Sequence, residues 1–372
     1  MVRQVALPAL LVAAWALSPG CGGCGMPQGD YFGTVDKDPD PSNFRWCNSG
    51  EPEYIDPALS TSTSGIPLVN SMWAGLAEVQ QNGLPKLTIA TSVERSPDLR
   101  RFVFHLRKDA RWSNGRPITA HDFVYHAMRV LHPLTASRRA EILWRLKNGL
   151  LYTQNRVRVV LRDIGPFKKG DIVEVLGKDG KVAKDPSKLH LPDPNKRTSP
   201  QPLKLHDLGA TDRDAYATVP AGEQVTIVEL SPDRTSAYVF YGLGDGVYGW
   251  VPTSQLSGQP NGDVKFTVRA VPPEHIPGVD LPPAPDAPRP QATVAGRDLL
   301  MLPEVLGVSA PDDYTFVVEG WAPIHIIKDL AADPVFRPSP RKVVSRWPKR
   351  WSQPEHIVTS GPLHMVDWDV RD

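Results

Sequence analysis

Residues 101–125, RFVFHLRKDARWSNGRPITAHDFVY, decide how this chain folds. From Arg101 to Arg107, Phe102, Phe104 and Leu106 alternate with Val103 and His105, the period of two that turns one side of a strand inward. Asn114-Gly115 followed by Pro117 supplies the residues of a tight turn. Thr119 stands where a helix N-cap belongs and Asp122 falls at the third helical position, where the positive end of the helix dipole favours an acid. The spacing predicts a helix from Thr119 to about Leu131, stopped by Pro133. Strand, turn and helix in so short a stretch predict a mixed α/β chain.

The same pattern continues outward. Pro67–Leu76 carries Leu68, Met72, Gly75 and Leu76 at helical spacing, and a second amphipathic helix is read over Ser137–Leu146. Val157–Leu161 and Gly170–Leu176 read as strands, and Lys178–Gln201 is charged and rich in proline. Three short strands follow at Gln224–Glu229, Ala237–Tyr241 and Gly246–Pro252, separated by turn residues, a spacing that suggests a small barrel. Val271–Pro290 holds eight prolines and reads as an extended linker. Tyr314–Glu319 alternates as a strand, and Ile324–Leu330 reads as a short helix. The 39 prolines among 372 residues argue against an all-helical bundle, because helix interiors exclude proline. A formal charge of +1 with mixed signs gives no overall field toward nucleic acid.

The N-terminus has its own character. Arg3 precedes the apolar run Val5–Leu17, too short to span a bilayer and suited to a secretory signal over residues 1–20. Leu17-Ser18-Pro19-Gly20-Cys21 resembles a bacterial lipoprotein cleavage site, so Cys21 is the expected lipidation position, with Cys24 the weaker acceptor. Residues 21–43 read as a flexible tether. Its Asp36-x-Asp38-x-Asp40 lacks the glycine and closing glutamate of a calcium loop. Three cysteines are too few for a disulfide scaffold, and export would leave open whether Cys24 and Cys47 pair.

Several ordered segments resemble one family. They are Glu51-Pro52-Glu53-Tyr54-Ile55-Asp56-Pro57, Trp73-Ala74-Gly75-Leu76, the 102–125 stretch, Pro311-Asp312-Asp313-Tyr314-Thr315-Phe316, Pro334 to Pro340, and Trp351 through Gly361-Pro362. Together they resemble the peptide-type extracellular solute-binding proteins of ABC importers, of the oligopeptide-binding kind. Tyr216–Leu256 is in turn similar to a bacterial SH3-like domain, through Pro220-Ala221-Gly222-Glu223-Gln224-Val225 and Gly246-Val247-Tyr248-Gly249-Trp250-Val251-Pro252. The resemblance implies a mixed α+β periplasmic-binding-protein-like lobe with an inserted all-β SH3-like barrel. The expected segments are a lobe first part at 44–164, an irregular β/linker insertion at 165–204, a barrel at 205–258, a proline-rich linker at 259–298 and a lobe second part at 299–372. Family members continue into a second lobe, whereas this sequence stops at Asp372. The expectation is therefore a lobe without its partner, or a fragment of a longer reading frame.

The resemblance also implies site residues. Thr61, Ser62 and Thr63 fall on the stretch that runs beside the bound peptide backbone, and Ser360 in Thr359-Ser360-Gly361 is carried over as a ligand-binding position. Their competing reading is an exposed polar loop. Arg139 stands where the family places an aromatic near the ligand. It would either meet a peptide carboxylate or sit as a solvated helix charge. In the barrel, Tyr241 and Tyr248 are the candidates for a surface groove, and the other aromatics fill its core. Asp56 reads as a turn cap rather than a catalytic acid, Trp112 and Tyr125 as packing residues, and His121 and His126 as surface imidazoles. With no nucleophile elbow, zinc-protease motif or phosphate loop, the chain is read as a binding protein rather than an enzyme, with no metal or cofactor. The expected partners are an oligopeptide ligand, the permease subunits of an ABC transporter and a membrane reached through the lipid anchor. The alternative is a cell-envelope interaction protein whose SH3-like domain binds peptidoglycan or a protein.

Overall fold

The structure is a computed structural model that describes residues 48, 50–176, 195–207, 215–231, 233–242, 246–257, 264–271 and 289–369. The chain divides into two units, Met1–Asn48 and Ser49–Asp372, and the architecture below is that of the second. The expected signal, Cys21 with Cys24 and Cys47, the tether, and the proline run at 272–288 lie outside the described residues. No described helix is long and apolar enough to cross a membrane.

The 101–125 stretch forms the centre of a four-stranded antiparallel sheet and the helix that covers it. Strand Arg101–Leu106 pairs on one side with Ala90–Arg95 and on the other with Thr315–Glu319, and Val308–Asp312 closes the order. Phe102, Phe104 and Leu106 are buried, as the alternation predicts. Helix α1 spans Gly65–Met72 and helix α2 spans Ala120–Leu131. Asp122 Oδ2 accepts the Thr119 backbone N–H at 2.9 Å, occupying one of the donors a helix start leaves open. Phe123 of α2 meets Phe316 at 5.7 Å between ring centroids, and Phe316 meets Phe104 at 6.2 Å and Phe336 at 6.1 Å. The two segments carrying the resemblance, more than 200 residues apart, thus share one sheet and one aromatic core.

Expectation and structure part in three places. Ser137–Leu146 is not an amphipathic α-helix but a 3₁₀ turn at Ala140–Arg145. The segment is held between Ala136 and Asn148, both at positive φ, and the Asn148 side-chain amide donates to Val305 O at 2.7 Å, leaving only a tight turn. Next, the expected linker at 259–298 contains strands, while Ile172–Val175 forms inside the expected strand at Gly170–Leu176. Ile172–Val175, Lys265–Ala270 and Gln291–Ala295 join Val157–Val160 and Leu299–Leu300 in a five-stranded antiparallel sheet. Val157–Val160 pairs both with residues of the expected insertion and with residues of the expected second part of the lobe, so the sheet has no seam at 164. Lastly, His126 is fully buried rather than a surface imidazole, and its Nδ1 lies 2.8 Å from Ser339 Oγ.

The three short strands predicted around 224–252 are present, as Gln224–Leu230, Ser236–Tyr241 and Val247–Pro252. They form a four-stranded sheet with Lys196–Thr198, which lies upstream of the expected barrel boundary at 205. A separate hairpin, Leu203–Leu205 with Ala217–Val219, lies beside it, and His206 bridges to Trp250. Gly249 admits this hairpin: a Cβ there would stand 2.6 Å from Leu205 Cβ. Helices α3 (Gly149–Thr153), α4 (Ile327–Ala332) and α5 (Arg341–Arg346) complete the fold, and α5 packs on the last strand of this sheet.

Candidate functional site

Register assigns the faces of the 224–252 sheet. Tyr238 pairs with Trp250 and Phe240 with Tyr248, so these four rings share one face, while Ala237, Val239, Tyr241, Val247, Gly249 and Val251 take the other. The aliphatic face closes against Leu205 and Tyr216 and carries the fully buried Ala237 and Val239. The aromatic face turns toward α2 and α5. Its rings touch in series: Phe240 to Tyr248 at 4.8 Å, Tyr248 to Tyr238 at 5.6 Å and Tyr238 to Trp250 at 5.3 Å. Arg341, the first residue of α5, lies 4.4 Å from the Tyr238 ring, 5.2 Å from Trp250 and 5.5 Å from Tyr125 of α2. Its charge is met by Glu229 at 2.7 Å, which a bulge between Ile227 and Glu229 brings to the aromatic face.

Between this face and α2 a cavity of about 400 Å³ remains. Tyr125, Met128 and His132 line it from the α2 side, and Val228, Tyr238, Phe240 and Tyr248 line it from the sheet. Leu134, Thr135 and Lys349 stand at its rim. Burial raises the pKa of Tyr125, Tyr238 and Tyr248, so these phenols stay protonated and present neutral surfaces.

The arginine that lines the cavity is neutralised in place. Arg129, on α2, grips Asp56 with Nη1 to Oδ1 at 2.8 Å and Nη2 to Oδ2 at 2.6 Å. Trp351 Nε1 donates to Asp56 Oδ2 at 2.9 Å, and the Ala58 amide donates to Oδ1 at 2.9 Å. Burial alone would raise the Asp56 pKa; the Arg129 charge and these donors together hold it below the ordinary carboxylate value. His132 Nδ1 accepts the Leu134 N–H at 3.2 Å, which leaves its proton on Nε2. Burial lowers its pKa to about 4, and that of His126 to about 3, so both rings are uncharged at neutral pH.

The residues singled out from sequence fall in different places. Thr61 and Thr63 are exposed, whereas Ser62 Oγ accepts the Gly65 N–H at 2.9 Å and so braces the start of α1. Arg139 is part-buried and paired within the chain: Nη2 lies 2.6 and 2.8 Å from the Asp333 oxygens. Ser360 Oγ accepts the Ala74 N–H at 3.1 Å, fastening the C-terminal segment to the exit of α1. Tyr241 and Tyr248 lie on opposite faces of the sheet, so the surface groove expected from the pair does not form; Tyr248 faces the cavity instead. Asp56 caps a turn as expected, with its carbonyl accepting from Leu59 and Ser60. Its pairing with Arg129 has no local sequence signal, because the partners are 73 positions apart.

Comparison with known proteins adds the following. Residues 85–222 match bacterial extracellular solute-binding proteins, family 5 Middle. That span runs through 165–204, which the motifs alone had set apart as an insertion, takes in the edge strand Lys196–Thr198, and stops before the three strands at 224–252. Over 99 residues the chain is 41% identical to the periplasmic oligopeptide-binding protein OppA of Haemophilus influenzae, covering 26% of this chain and 18% of that protein. It is 28% identical over 135 residues to the dipeptide-binding protein DppE of Bacillus subtilis, covering 36% of this chain and 23% of that one. The chain therefore spans less than a quarter of the length of these relatives. Among solved structures, Haemophilus influenzae OppA in complex with RPPGFSPFR aligns with a TM-score of 0.44 at 18% identity, over 86% of this chain and 35% of that chain.

Proposed function

We propose that this chain is a substrate-binding component of a peptide ABC importer. It is exported, anchored through a lipid on Cys21, holds oligopeptides in extended form and delivers them to permease subunits in the membrane. The observation that carries the reading is the match of residues 85–222 to the solute-binding family, joined to the packing of that segment. Its strand Arg101–Leu106 and helix α2 form one core with Thr315–Glu319, where the resemblance resumes. The described residues supply one side of a ligand cleft on this reading, and peptide backbone pairing would supply affinity that is tolerant of side chains.

Isothermal titration of the purified chain with mixed peptides of two to five residues tests it. Saturable heat is expected with the peptides and none with an equimolar mixture of free glycine, alanine and serine. Identical traces for the two mixtures would remove peptides as the cargo.

A further inference from the structure

We propose that the cavity between α2 and the aromatic sheet is a subsite for an aromatic side chain. Its volume of about 400 Å³ lies within the range of small-molecule pockets, ~300–1,000 Å³. Tyr238, Phe240 and Tyr248 form a continuous run of rings on one wall, and Tyr125 of α2 lines the cavity with them. An incoming ring can stack against one of these and meet another edge-on, the two arrangements aromatic pairs favour.

Charge points the same way. Arg129 is neutralised by Asp56, Arg341 by Glu229, and His132 carries no charge at neutral pH, so the interior asks for a neutral, polarisable group. Val228, Tyr238, Phe240 and Tyr248 lie beyond the 85–222 match, while Tyr125, Met128 and His132 lie within it. The subsite is thus built jointly by a family-like segment and a segment outside it. That the ring belongs to a peptide rests on the function proposed above; the preference for a ring rests on the cavity.

The test is titration of the full chain with N-acetyl-phenylalanine amide and N-acetyl-alanine amide. The ring compound is expected to bind at least about tenfold more tightly, because burying a phenyl group in place of a methyl exceeds the ~1.4 kcal/mol that corresponds to that factor. Thr135→Trp, which plugs the rim without removing core packing, and Tyr248→Ala, which removes one wall, should each weaken ring binding at least about tenfold. Tyr241→Ala, on the opposite face, should leave it unchanged. Thermal melts followed by circular dichroism identify any variant that fails to fold. Equal affinity for the two compounds, no saturable binding of the ring compound, or ring binding that survives Thr135→Trp would overturn the subsite. Mixed short peptides measured in parallel separate the two ideas. Peptides bound without aromatic preference remove the subsite and keep the cargo; ring binding without peptide binding keeps the subsite and removes the cargo.

Discussion

His126, at the middle of α2, and His132, its C-cap, sit six positions apart, and burial depresses both, to about 3 and about 4. In the unfolded chain each would titrate near the ordinary value of about 6.5. Between those limits the unfolded state binds protons that the folded state refuses, so folding stability rises with pH across the window and is lost as pH falls from about 6.5. Each histidine can contribute a slope on the order of 1.4 kcal/mol per pH unit. Urea unfolding at pH 7.5 and pH 5.0 should therefore show the lower midpoint at pH 5.0, and His126→Phe should recover roughly half of the loss. Equal midpoints at the two pH values would contradict the burial of these rings. Asp56 acts further down the scale: its depressed pKa contributes stability that is present above the ordinary carboxylate range and lost only as pH falls through the folded value.

At the scale of elements, Gly307 shows how tightly one junction is drawn. Its N–H donates to Lys147 O at 2.9 Å, its carbonyl accepts from Glu319 at 2.7 Å, and Glu319 O accepts from Lys147 at 2.9 Å. A Cβ on residue 307 would stand 2.1 Å from Glu319 O and 2.8 Å from Lys147 N, both backbone atoms that cannot turn away. Gly307→Ala should cost about 3 kcal/mol or more, the upper part of the overpacking range, whereas Gly50→Ala, which meets nothing within 4 Å, should be near neutral. Comparable chemical-denaturation midpoints for the two variants would refute this. Elements with a strong local period were legible in sequence: the alternation of Phe102, Phe104 and Leu106, and the Thr119 start of α2. Lys265–Ala270 was not, although Phe266 and Val268 alternate inward, because flanking prolines marked the region as linker. The aromatic subsite was legible only in part. Tyr248 could be named from its strand, but the face it takes depends on register, and its partner Tyr125 comes from an element more than 100 residues away.

Across the whole molecule, the expectation of a lobe carrying a separable barrel meets a continuous interior. Val239 and Val251 of the small sheet belong to the same buried cluster as Phe104 and Phe123. Tyr238 reaches Ser345 of α5, and Arg341 is enclosed by rings from both α2 and the sheet. Residues 195–257 expressed alone should therefore lack a cooperative thermal transition, since the aromatic face would be left in water. A sharp calorimetric peak from that fragment would show an autonomous module instead. The pairing of Arg101–Leu106 with Thr315–Glu319 also bears on how the protein is made. At ~5–20 residues per second, the later strand leaves the ribosome roughly 10–40 s after the earlier one. Throughout that interval Phe102 and Phe104 have no completed sheet to enter, and the edge of their strand is an open template for the wrong neighbour. Until Thr315–Glu319 has emerged, the nascent chain carries an open strand edge beside unpacked phenylalanines.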